Sequence, residues 1–86
     1  MSSNFCSRPV DWQKYDVVYA GAQKNVGPAG VCIVVVRKTL LKNPCKKDAP
    51  LLCDWPLFEK AANTFHNTPN CWTIYMCGLN IEYMIE

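Results

Sequence analysis

Histidine is nearly absent from this 86-residue chain, which has one, His66. The six cysteines, at 6, 32, 45, 53, 71 and 77, include no C-x-x-C pair, and His66 is not spaced from them as a zinc ligand would be. No metal is expected. An excess of one charge is missing too: the formal net charge is +2. The basic residues are dispersed apart from Arg37-Lys38 and the stretch Lys42 to Lys47. Lys42, Lys46 and Lys47 stand among Asn43, Pro44, Asp48 and Pro50, as in a solvated loop, so no nucleic-acid partner is expected. The longest apolar run, Val31 to Val36, falls far short of the roughly 20 residues that a membrane span needs. Residues 1–6 lack the positive-then-apolar order of a secretory leader, which makes the cytoplasm the default address. No internal repeat or low-complexity segment is present.

What remains is a composition fit for a packed interior, with 50% apolar and 19% charged residues. The length allows at most one domain, and a chain of this size buries only about 60–65% of its unfolded surface. Without a leader the cysteines read as inert thiols. Cys32, Cys71 and Cys77 lie in apolar segments, where the thiol behaves as a small hydrophobe.

Residues 1–15 are polar and broken by Pro9. Asp16-Val17-Val18-Tyr19-Ala20 predicts a short strand, and the β-branched run Val31–Val36 predicts a second one covered on both faces. The loop of about ten residues between them makes a hairpin the simplest connection. Arg37–Leu41 could form one helical turn. Leu51–Trp55 predicts a further strand ended by Pro56, Leu57–Ala62 is ambiguous, and Asn63–Asn70 carries turn chemistry. Thr68 and Pro69 then supply an N-cap and a first helical proline. Trp72, Tyr75, Met76, Leu79 and Tyr83 follow at helical spacing, predicting a helix whose aromatic face is core. Gly78 within it suggests a close approach to a neighbour.

The loop Tyr19-Ala20-Gly21-Ala22-Gln23-Lys24-Asn25-Val26-Gly27-Pro28-Ala29-Gly30 holds the chemistry. It sets one lysine among small residues, directly after one apolar run and before another. A solvated lysine needs no such setting. One that must meet a carbonyl at close range does, because its neighbours have to be small and its backbone fixed.

This loop, together with Ser2-Ser3, Ser7-Arg8-Pro9-Val10-Asp11 and Asn67-Thr68-Pro69, resembles the phosphoserine aminotransferases, pyridoxal-phosphate enzymes of the aspartate aminotransferase fold type. The resemblance spans nearly the whole chain and is weakest from Thr39 to Thr64. It implies an α/β fold. Residues 1–86 would be part of the large, cofactor-binding domain of a fold-type-I transferase, made of a strand hairpin carrying the lysine, then a loop and a helix, with no complete second domain. It implies that Lys24 bonds to the cofactor aldehyde, for which its amine must first be neutral, and afterwards moves a proton at the substrate Cα. Gln23 would contact the cofactor. Asn67 and Thr68 would hold its phosphate from the neighbouring subunit of a homodimer. A helix start at Thr68 would favour that anion, although a plain N-cap needs no ligand.

The implied reaction moves an amino group between glutamate and 3-phosphohydroxypyruvate, giving 2-oxoglutarate and phosphoserine on the route to serine. His66 takes a place where the family usually has an aromatic residue, and Asn70 replaces a second proline. Arg8 reads as a structural or surface arginine. The family's pyridine-binding aspartate, ring-stacking tryptophan and substrate arginines have no match here, and Trp12, Trp55 and Trp72 do not fall where the stacking residue belongs. The expectation is therefore a family fragment, inactive in isolation. Two rivals stand beside it: a non-enzymatic truncated subunit that pairs with an intact aminotransferase, and a cysteine-framed binding module.

Overall fold

Two short strands, β1 over Val17–Gly21 and β2 over Cys32–Val36, pair as an antiparallel hairpin. Both are rich in β-branched residues, whose crowded Cβ suits a pleated backbone. The computed structural model describes residues 1–43, 45–60, 65 and 67–86. Among the described residues, two α-helices follow the hairpin, α1 over Trp55–Lys60 and α2 over Cys71–Ile85. The chain divides into two compact units, one of Met1–Val35 with Asn70–Glu86 and the other of Val36–Pro69.

In the first unit, the Ala22 N–H donates to the Val31 carbonyl at 2.7 Å, carrying the ladder one pair beyond the strand ends. A single 3-10 turn, Trp12–Lys14, precedes β1, with the Asp11 carboxylate accepting from the Gln13 N–H at 3.3 Å. Helix α2 starts at an asparagine cap: the Asn70 Oδ1 accepts from the Thr73 N–H at 3.2 Å. The predicted start at Thr68 and Pro69 is thus displaced by two residues. Asn70 is a better cap than threonine, and it satisfies an N–H that would otherwise be orphaned. The core is small, comprising Phe5, Ala20, Ala22, Val26 and Cys77, with Val18, Val31 and Ile33 packed around it.

The inner face of α2 is not the predicted one. Trp72, Tyr75, Leu79 and Tyr83 are exposed, Tyr83 by 79%, and Met76 is half-buried. Thr73 and Cys77 are buried instead, and Asn80, one further turn along, is half-buried. The cause lies on the opposing side. The loop of residues 27–30 meets the helix with its backbone, and only small side chains fit there. A Cβ on Gly27 would lie 2.7 Å from the Cys77 Sγ, and one on Gly30 would lie 2.8 Å from the Asn70 Nδ2. Close approach therefore belongs to the loop glycines rather than to Gly78, where an added Cβ meets nothing within 4 Å. Gly78→Ala is expected to raise the stability of the chain by about 0.5–1 kcal/mol, the ordinary gain in an open helix interior. A denaturation midpoint that falls would mean that this face is covered.

Strand β2 is also more open than expected, with Cys32, Val34 and Val35 exposed. A second covering layer for this strand is not among the described residues. Of the cysteines, only Cys77 is buried; Cys6, Cys32, Cys53 and Cys71 are exposed, and Cys45 is half-buried. Cys32 and Cys71 are therefore not the core residues that their apolar settings suggested. Each opens its element at an exposed end.

In the second unit, 3-10 turns occur at Leu40–Lys42 and Leu51–Cys53, and α1 packs against the first of them. The helical turn expected near Arg37–Leu41 is present, shifted toward Lys42. The strand predicted over Leu51–Trp55 is absent: a 3-10 turn leads into α1, and Pro56 stands in its first turn. Proline is tolerated there because its missing N–H would have no partner anyway. The ambiguous stretch from Leu57 is helical to Lys60. Ala61, Ala62, Asn63, Thr64 and His66, with the readings made of them, lie outside the described residues, as does Pro44. No helix of the described residues is long and apolar enough to cross a membrane.

Candidate functional site: the lysine loop

The loop between the strands is fixed on either side of its lysine. On the β1 side, Ala22 is buried and bonded to Val31. On the other side, Val26 is fully buried. Gln23 and Lys24 stand exposed between these two anchors. Lys24 has φ +48°, in the left-handed region that non-glycine residues seldom occupy. Holding a lysine there costs on the order of 1–3 kcal/mol and persists only where the surroundings over-determine it.

Those surroundings come from three segments. The Gly21 N–H donates to the Ser2 Oγ at 3.0 Å. The Asn25 Nδ2 donates to the Phe5 carbonyl at 2.9 Å and lies 3.7 Å from the Met84 Sδ. The Asn80 Nδ2 donates to the Asn25 carbonyl. Farther along, the Thr73 Oγ1 donates to the Ala29 carbonyl at 3.4 Å. Gly27 and Gly30 have φ +148° and +123°, values open to glycine because it lacks a Cβ. The freedom of these two glycines is used for the close approach of α2.

A shallow, open depression of about 460 Å³ runs along the loop ends of the strands, lined by residues 21–23 and 29–32. Its walls are small side chains and backbone, and Gln23 is the one long polar side chain on them. Lys24 is the next residue along the loop. The depression is open to solvent, and the described residues do not enclose it. The amine of Lys24 and the amide of Gln23 are groups whose chemistry suits pyridoxal phosphate, but the described residues form no cofactor site by themselves.

The structure brings Gln23 and Lys24 together. Asn67 and Thr68 belong to the other unit, where both are exposed, and the capping place at α2 falls to Asn70. Arg8 is exposed, as expected of a surface arginine. Among the described residues, no His, Cys, Asp or Glu side chains group as a metal site. Sequence reasoning passed over Asn25 and Asn80. The signal available for them was weak: Asn80 lies one turn beyond Cys77 on the small-residue face of α2, which the aromatic stripe outweighed.

Comparison with known proteins extends over the whole chain. The aminotransferase class-V family model matches residues 1–86. A phosphoserine aminotransferase of Arabidopsis thaliana, described as chloroplastic, is 50% identical over 100% of this chain and 20% of its own length. The phosphoserine aminotransferase of Desulfatibacillum aliphaticivorans is 42% identical over 100% of this chain and 23% of its own. Among solved structures, a PLP-bound phosphoserine aminotransferase from Trichomonas vaginalis superposes with a TM-score of 0.82 at 38% identity, covering 99% of this chain and 23% of that one. The chain thus spans between a fifth and a quarter of the length of the relatives it matches, and its hairpin, loop and helix have the fold of the corresponding part of a fold-type-I, pyridoxal-phosphate-dependent transferase. With the family model matched from the first residue to the last, the chain belongs to the aminotransferase class-V family.

Proposed function

We propose that this chain carries the lysine-bearing part of a phosphoserine aminotransferase, within the large domain, and that it serves the exchange of an amino group between glutamate and 3-phosphohydroxypyruvate. The observation that carries this reading is Lys24, exposed on a left-handed turn between two buried anchors. Bound pyridoxal phosphate supplies an aldehyde carbon and a ring that draws electrons from the amino-acid Cα. Lys24 would hold the cofactor through its Nζ and would carry a proton to and from the substrate Cα. Gln23 orients the cofactor from the wall of the depression. Asn67 and Thr68 serve the cofactor phosphate of the neighbouring subunit in a homodimer. The cytoplasm is the proposed location, and small molecules are the partners.

The isolated 86-residue chain is expected to turn over phosphoserine and 2-oxoglutarate little or not at all, because no residue here matches the aspartate, stacking tryptophan and substrate arginines of the family. It is nevertheless expected to take up pyridoxal phosphate at one place. After borohydride reduction and digestion, mass spectrometry should find the label on Lys24 above every other lysine, and Lys24→Ala should lose that peak. Label spread evenly over the lysines would overturn the assignment of Lys24. Turnover near that of an intact relative would overturn the expected inactivity.

A second reading, a non-enzymatic subunit that pairs with an intact aminotransferase, is favoured by the open face of Trp72, Tyr75 and Tyr83. Co-purification with a full-length subunit supports it, and a strictly monomeric chain counts against it.

A further inference from the structure

We propose that Asn25 and Asn80 form an amide clamp whose task is to aim Lys24, which makes them positioning residues for the lysine rather than ordinary packing. The clamp's role rests on the reading of Lys24 as the cofactor-holding residue.

Lys24 can sit at φ +48° only if the chain on both sides leaves it no other path. On the β1 side the path is fixed at Ala22 by the bond to Val31. On the other side the first residue after the lysine is held twice. Its side chain donates to the Phe5 carbonyl at 2.9 Å, and its own carbonyl accepts from the Asn80 Nδ2. The side chain thereby ties the turn to the N-terminal segment, and the carbonyl ties it to α2. Only Gln23 and Lys24 remain to span the gap between fixed ends, and the left-handed turn is the solution. Burial of Val26 secures the loop against the core, but an apolar contact has no direction. The two amide bonds supply direction, because a hydrogen bond weakens steeply when misaligned. Asn80 is, with Thr73, one of the polar residues on the α2 face that meets the loop, where an apolar residue would serve burial better and could not donate.

The test uses Asn80→Asp and Asn25→Asp in the 86-residue chain. Each keeps the side-chain shape and removes the donating Nδ2. The chain is incubated with pyridoxal phosphate and reduced with borohydride, and the label on each lysine is measured by mass spectrometry. Limited trypsin digestion reports the rate of cleavage after Lys24 relative to cleavage after Lys38, without any cofactor. Far-UV circular dichroism reports whether α2 is retained.

The expected result is a fall of about fivefold in the share of label on Lys24, the effect of one lost hydrogen bond. Cleavage after Lys24 should rise by a similar factor, with helix content unchanged. Two independent sites guard against one variant failing to fold. A wild-type chain labelled selectively on Lys24, with both variants equally selective and equally resistant to trypsin there, would overturn the clamp and leave the reading of Lys24 standing. A wild-type chain labelled evenly would overturn that reading and the clamp's aiming role with it.

Discussion

Gly27→Ala is expected to unseat α2 from the lysine loop and to cost about 2–5 kcal/mol. Two penalties act at one atom. The residue has φ +148°, where a Cβ is strained whatever the surrounding space. The Cβ would also stand 2.7 Å from the Cys77 Sγ and 3.2 Å from the Cys77 Cα. The second of these atoms belongs to the helix backbone, which cannot turn aside as a side-chain end can. A chain of this length has little stability to lose, so the variant should be largely unfolded at room temperature. Two neighbouring glycines calibrate the effect. At Gly30 the atoms met are the Asn70 Nδ2 at 2.8 Å and the Thr73 Oγ1 at 3.2 Å, both ends of side chains. Some relief is open to them, and Gly30→Ala should cost less. At Gly21 the nearest atom is the Ser2 Oγ at 3.8 Å, an ordinary van der Waals distance, so Gly21→Ala should be nearly neutral. Urea denaturation followed by circular dichroism should rank the three as Gly27, Gly30, Gly21 in descending loss. Equal losses at Gly27 and Gly21 would show that the loop does not lean on α2.

Lys24→Gly is expected to move stability and chemistry in opposite directions. Glycine enters the left-handed region without the steric cost that an L side chain bears there, about 1–2 kcal/mol. Part of that relief is offset by the greater freedom of glycine in the unfolded chain, leaving a net gain of about 0.5–1 kcal/mol. Lys24 is exposed, so its side chain contributes little burial that would be lost. Capture of pyridoxal phosphate at this position should vanish, since the amine is gone. In an intact enzyme built on the same loop, loss of the proton-carrying group would slow turnover by about 10²–10⁴-fold. The urea midpoint and the borohydride label, measured on the same sample, check both halves. A midpoint that falls would mean that the turn at Lys24 is relaxed, and the cost of displaying the lysine would have to be withdrawn.

The hairpin and its loop were legible because local chemistry decides them. Val31–Val36 is β-branched almost throughout, and glycines and small residues flank Lys24. Helix α2 was legible from its period, but its inner face was not. A period says that one face is apolar, whereas the partner decides which face goes inward. Here the partner is the loop backbone at Gly27 and Gly30, which admits Thr73 and Cys77 and excludes an indole. The relatives are four to five times as long as this chain. Leu51–Trp55 misled for a related reason. Five apolar-rich residues before a proline suit the end of a strand or the entry to a helix equally well, and only the turn at Leu51–Cys53 distinguishes them. Asn67 and Thr68 were placed at a helix start because Pro69 suits one, but Asn70 made the better cap.

The order in which the first unit is completed follows from its connectivity. Its two stretches, Met1–Val35 and Asn70–Glu86, are separated by the whole of the second unit. The bond from Asn80 to Asn25 spans 55 residues, and the bond from Thr73 to Ala29 spans 44. The hairpin can zip locally within microseconds, but the lysine turn waits for α2 to be brought home across that separation. Until α2 docks, Lys24 is therefore an ordinary mobile side chain, and it acquires its fixed bearing only with that long-range contact.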